Sequence, residues 1–246
     1  MSEKGRRVLM TNSFLYLIVL ILALKVCGIS EAGPEFVKIG LSSINVWFHN
    51  LWNYGEGMDY SKFWYSVTKI ISYVCMATCC FWTFLFVRDL IKSGRADGVD
   101  TDKNLMSTFF LYVMTLASCF ILRIMKVNYG PIVMPGQTNL TCSFPSAGVL
   151  LFIVAMGSTT FHVWDIWYER KKRAVVMSVL CLFVMFFGIV AQMISGTTWL
   201  TDTLGGVLLG ITLLTLYSFF FMFDLDFQAE EKMAREHMRI YGQSKL

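Results

Sequence analysis

Apolar residues in this chain fall into long runs with few charges, not into the alternating pattern of half-buried strands or the narrow stripe of a surface helix. Six such runs, at 9–29, 66–87, 105–126, 147–167, 174–195 and 199–223, are each long enough to cross a hydrocarbon layer as a helix. The pattern predicts an all-α membrane domain of six transmembrane helices over 1–223, followed by a tail over 224–246. The tail, "DLDFQAEEKMAREHMRIYGQSKL", abruptly mixes charges, while Phe227, Ala234, Met238 and Tyr241 recur at roughly helical spacing. It reads as an amphipathic helix that is solvated or lies on the membrane; a docking segment for a partner protein is the sharper alternative.

Composition agrees with the pattern. Hydrophobic residues make up 56% of the 246, charged residues only 15%, and the mean hydropathy is +0.58, which excludes an ordinary soluble domain. The cations are placed unevenly. Arg6 and Arg7 precede the first run, Arg88, Lys92 and Arg95 follow the second, and Arg170, Lys171, Lys172 and Arg173 separate the fourth from the fifth, whereas 127–145 carries no charge at all. The positive-inside rule then puts both termini in the cytoplasm, with the loops after the first, third and fifth spans on the outer face of the cell membrane. The net charge of +4 therefore reflects topology and gives no argument for a nucleic-acid partner. The first run follows basic residues as a signal peptide would, but no small-residue cleavage site follows its apolar core, so it reads as an uncleaved anchor. Five of the seven cysteines lie inside spans; Cys27 and Cys142 fall near the outer face and weakly suggest a disulfide. No cysteine or histidine spacing matches a metal site, and nothing indicates a cofactor.

Three polar segments share the predicted outer side: "RIMKVNYGPIVMPG" from Arg123, "SFPSAG" from Ser143 and "QMISGTTWLTD" from Gln192. With "INVWFHNLWNY" in the first outer loop, their order and spacing resemble the type 2 phosphatidic acid phosphatases, the lipid phosphate phosphatases related to vanadium haloperoxidases, in a small bacterial form. The resemblance covers nearly the whole chain and implies that family's helical bundle and an extracytoplasmic phosphate site. In the family, a lysine, and seven residues later an arginine before proline, hold the phosphate. A histidine in a Pro-Ser-x-His segment protonates the leaving oxygen. A second arginine precedes the attacking histidine by six residues, and an aspartate four residues beyond orients that imidazole.

Most of those side chains are absent here. Arg123 keeps a cation in the lysine's place, but Gly130 replaces the first arginine, Gly148 the acid histidine, Gln192 the second arginine and Thr198 the nucleophile; Ser146 and Asp202 remain. Loss of a nucleophile alone costs on the order of a millionfold in turnover in comparable hydrolytic centres. Threonine is a poor replacement, because a hydroxyl needs a neighbouring base. Of three histidines, His162 falls about 21 Å deeper along its span by helical rise. His237 is in the tail, and His49 sits in an aromatic-rich outer segment that reads as an interfacial helix.

The expectation is a catalytically inactive relative that keeps an outward-facing polar pocket of Arg123, Ser146, Gln192, Thr198 and Asp202, with no metal. This pocket would bind membrane lipid through a phosphate head group, or the protein would act through a partner. The alternative is an active or weakly active phosphatase of phosphatidate, phosphatidylglycerol phosphate or undecaprenyl pyrophosphate. Each polar residue also has a plainer use. Ser146, Thr198 and Thr201 suit helix caps, Asp202 suits a helix N-terminus, Asp165 suits interfacial hydration or an inner-end ion pair, and Gly205, Gly206 and Gly210 suit close helix packing.

Overall fold

The computed structural model describes residues 3–32, 37–52, 60–94, 102–133, 138–167 and 170–243. Among the described residues, seven helices and a small hairpin follow in chain order: α1 (Glu3–Val26), β1 (Ser30–Ala32), β2 (Val37–Ile39), α2 (Ser42–His49), α3 (Lys62–Ser93), α4 (Lys103–Ile124), α5 (Ala147–Ile166), α6 (Lys171–Ser195) and α7 (Leu200–Gln243). All six predicted runs are helical, and six helices are long and apolar enough to cross a membrane, so the chain is a multi-pass membrane protein with an all-α bundle. The helices outrun the apolar stretches at several ends because residues such as Lys62, Lys103 and Lys171 continue the backbone hydrogen bonding into the boundary region.

Local chemistry sets several ends. Ser61 caps α3 by accepting from the Trp64 N–H at 3.4 Å, and Asp102 caps α4 by accepting from Asn104 N–H at 2.8 Å and Leu105 N–H at 3.3 Å. Gly196, at φ 74°, ends α6 in a left-handed conformation that a side chain would resist. The Ser61 N–H donates to the Ser195 carbonyl at 3.0 Å, tying the start of α3 to the end of α6.

α5 is the hub and packs against α3, α4, α6 and α7, while α1 lies against α7. Within the apolar window of each span, 56% of α5 and 50% of α7 is buried, against 11–28% for the other four, so the α5–α7 pair forms the core and the rest face lipid on one side. The pair approaches closely through glycine. A Cβ on Gly206 would lie 2.9 Å from the Ser146 carbonyl oxygen, and one on Gly210 would lie 2.8 Å from Ile153 Cγ2. Gly205 similarly faces the Phe144 ring.

The end of the bundle away from the hairpin holds a buried polar cluster. Thr108 Oγ1 is 2.8 Å from the Asn104 carbonyl, 2.7 Å from His162 Nε2 and 2.9 Å from the Tyr217 hydroxyl. One hydroxyl has one proton, so all three bonds form when Thr108 donates to Asn104 and accepts from His162 Nε2–H and Tyr217. His162 also stacks on Trp82 at 3.9 Å, and Asn104 Nδ2 donates to Asp165 at 3.2 Å. The Asn104 amide donor to Asp165 is placed on α4 and is therefore invisible in the local sequence.

α7 runs without a break through the expected domain boundary at 223/224 to Gln243. The side chains of the tail, on which its amphipathic reading depends, lie outside the described residues, as do Tyr54, Arg95 and Gly136. Cys27 and Cys142 are both free thiols.

Candidate functional site

The three polar segments meet at one end of the bundle, together with the hairpin and α2. Asp202 is at their junction. It is the third residue of α7, wholly inaccessible to solvent, and its carboxylate reaches back to the Trp199 backbone N–H just outside the helix. Oδ1 accepts from Asn128 Nδ2 at 3.1 Å, and Oδ2 accepts from the Ser143 hydroxyl. The Asp202 backbone carbonyl in turn accepts the Ser146 N–H at 2.9 Å, locking the first turn of α7 to the start of α5. Among the described residues no cationic group pairs with this carboxylate. Three neutral donors and the positive end of the helix stabilise it.

Asn128 and Ser143 are the residues that sequence reasoning missed. Both lie inside the quoted segments, but the family pattern drew attention to the neighbouring Gly130 and Ser146. The available signal was negative: a loop with no charge at all, returning to a helix that starts with a carboxylate, must supply neutral donors. A backbone bridge between Tyr129 and Cys142 holds the two strands of that loop in register, so that Asn128 and Ser143 arrive together. The Ser143 N–H also donates to the Asn128 carbonyl at 3.1 Å.

The other predicted site residues divide. Gln192 belongs to a small closed ring: its Nε2 donates to Thr197 Oγ1 at 3.0 Å, Thr197 and Ser195 hydroxyls are 2.8 Å apart, and Ser195 Oγ donates to the Gln192 carbonyl at 2.7 Å. A Cβ on Gly148 would lie 3.2 Å from Gln192 Oε1, so the start of α5 and the end of α6 are in contact here. Ser146 stands at the N-cap of α5 in extended conformation, yet its hydroxyl makes no cap bond and is buried without a hydrogen-bond partner. The hydroxyls of Thr198, Thr201 and Thr203 and the amide oxygen of Asn128 are likewise buried and unpartnered among the described residues. Threonine capping of α7 is thus corrected: the Thr201 N–H is received at 3.2 Å by Asn45 Oδ1 from α2, whose Nδ2 donates to the Gly40 carbonyl at 3.0 Å. Arg123 is exposed at the end of α4 and makes no ion pair or hydrogen bond with Asp202, Gln192 or Ser146.

His49 lies edge-on to Trp199, with ring centroids 5.5 Å apart, and the Trp199 indole donates to the Tyr129 carbonyl at 2.6 Å. The groups bonded to the Asp202 carboxylate are Asn128, Ser143 and the Trp199 backbone, so an imidazole is not among its hydrogen-bond partners. The N-termini of α5 and α7 converge here, which favours a negative charge, and the charge they already share is that of Asp202.

No protein-family model matches the chain, and no curated protein matches it either. Among solved structures, the chain is similar to one described as the first transmembrane PAP2 type phosphatidylglycerolphosphate phosphatase from Bacillus subtilis. That similarity has 14% sequence identity and a TM-score of 0.48, and covers 86% of this chain and 94% of that one.

Proposed function

We propose that this protein is a six-span relative of the type 2 phosphatidic acid phosphatases that has lost hydrolysis and engages phosphate-bearing membrane lipids by binding alone. One observation carries the reading. Asp202, the one surviving member of the expected histidine–aspartate couple, is taken up as a buried acceptor for Asn128 and Ser143. A carboxylate held in that way cannot orient an attacking imidazole, and a second anion beside it would be repelled in a low-dielectric setting. Gln192, at the position of a phosphate-holding guanidinium, is engaged with Thr197. The cation distribution supports cytoplasmic termini, with the Asp202 end of the bundle facing outward.

The test is phosphate release by the purified full chain from phosphatidate, phosphatidylglycerol phosphate and undecaprenyl pyrophosphate. No release above a protein-free control is expected. Turnover that disappears in Asp202→Ala would overturn the proposal.

A second reading, weak phosphatase activity, draws on the buried, unpartnered Thr198 hydroxyl and on the His49 ring against adjacent Trp199. It requires a measurable rate that Thr198→Ala or His49→Ala abolishes; unchanged rates in both variants would remove it.

A further inference from the structure

The lipid-binding reading leaves open where a phosphate would be held, since the Asp202 junction already contains its own anion. A different corner of the same end is better suited. Lys25, in the last turn of α1, extends its ammonium across to the C-terminal end of α4 and donates to the carbonyls of Met125 at 3.2 Å and Lys126 at 2.9 Å. Lys126 adopts a left-handed conformation, φ 46°, immediately after the helix, and its N–H donates to the Arg123 carbonyl at 3.1 Å. The backbones of Arg123 and Lys126 are thus held within one turn of the Lys25 ammonium, and all three residues are exposed. None forms an ion pair with a carboxylate among the described residues.

Part of this arrangement is explained by the helix itself, because Lys25 satisfies carbonyls that α4 leaves open and all three charges complement its negative end. That account neutralises about half a charge and leaves most of three uncompensated. The ammonium of Lys25 is moreover fixed by two backbone acceptors, which removes part of the ordering cost that a free lysine pays on binding an anion. Directly beside the cations, the lipid-facing surface is apolar and exposed: Leu22 (58%), Val26 (75%), Ile121 (57%) and Ile124 (64%). Positive charge set at the end of two apolar helices, with hydrocarbon contacts immediately below, matches a phosphate at the head-group level whose acyl chains run along α1 and α4.

We infer that the Lys25–Arg123–Lys126 corner is the binding site for the phosphate group of an anionic phospholipid. The inference rests on the lipid-binding reading above but moves the contact away from Asp202.

The experiment purifies the full chain into nanodiscs or detergent with defined mixtures of phosphatidylglycerol and phosphatidylcholine and measures retained lipid by native mass spectrometry. Wild-type protein is expected to retain phosphatidylglycerol selectively. Arg123→Gln/Lys126→Gln, which leaves the Lys25 tie intact, is expected to reduce that selectivity at least tenfold, from roughly fivefold for each interfacial cation. Lys171→Gln/Lys172→Gln, an equal charge change at the opposite end, is the control and is expected to retain the corner-bound lipid. Competition by excess inorganic phosphate would assign the corner to a soluble phosphate source and overturn the lipid; failure to compete supports the lipid. Equal retention by wild type and Arg123→Gln/Lys126→Gln, or equal loss in the control, overturns the site. Absence of any selective retention by wild type instead removes the lipid-binding reading itself.

Discussion

Exchange of Asp202 for alanine and for asparagine separates a structural tie from a remnant of chemistry. In Asp202→Ala, Asn128 Nδ2 and the Ser143 hydroxyl lose their acceptor, and the Trp199 N–H loses its return contact. Hydrogen bonds to a charged acceptor contribute about 1.5–3 kcal/mol each, and stranded buried donors add a comparable penalty. Because the partners share one carboxylate the losses do not add fully, so about 3–5 kcal/mol is expected. Asparagine keeps an oxygen for one donor, and the Ser143 hydroxyl can turn to accept from the new amide, so that variant should lose only about 1 kcal/mol. Removal of a buried, uncompensated charge offsets part even of that. For a chain of this size about 2–4 °C accompanies each kcal/mol, so thermal unfolding followed by tryptophan fluorescence should fall by roughly 6–20 °C for Asp202→Ala and by a few degrees for Asp202→Asn. An alanine variant as stable as wild type would refute the tie. So would an asparagine variant as damaged as the alanine one.

Asn45→Ala should destabilise by about 1–2 kcal/mol, because α7 loses the acceptor for its Thr201 N–H and the Gly40 carbonyl loses a donor; denaturation of the purified chain measures this, and an unchanged midpoint would show that α2 does not hold α7. Gly206→Ala places a methyl 2.9 Å from a backbone oxygen that cannot rotate away, so it should cost about 1–3 kcal/mol, whereas Gly94→Ala, whose nearest contact is 3.5 Å, should be near neutral. Restoring the family's side chains together, as Gly130→Arg, Gly148→His, Gln192→Arg and Thr198→His, should give little phosphate release unless Asn128→Ala and Ser143→Ala are added to free Asp202. Equal activity with and without those two changes would show that the carboxylate was never engaged.

The legible part of this molecule was the part governed by one-dimensional pattern. Six long apolar runs fixed the number and order of the spans, because backbone polar groups in hydrocarbon leave helix as the available spanning state for such runs. The glycines of "GGVLLG" foretold a close packing face. Cap assignments at Thr198 and Thr201 failed, since the acceptor for the Thr201 N–H at the start of α7 is Asn45 Oδ1, 156 residues earlier in the chain. Arg123 was grouped with the pocket by its match to a motif position, whereas the tie of Lys25 to the Met125 and Lys126 carbonyls beside it depends on a residue about a hundred positions earlier and has no local signal.

The sequence by itself determined that this chain carries six segments long and apolar enough to cross a membrane, and that its three histidines are His49, His162 and His237. Only the tertiary structure decided what Asp202 does. Hydropathy is a sum over neighbours in sequence, whereas the partners of a buried carboxylate are chosen by which distant donors the fold brings within about 3 Å, and those come here from a loop 59 and 74 residues away.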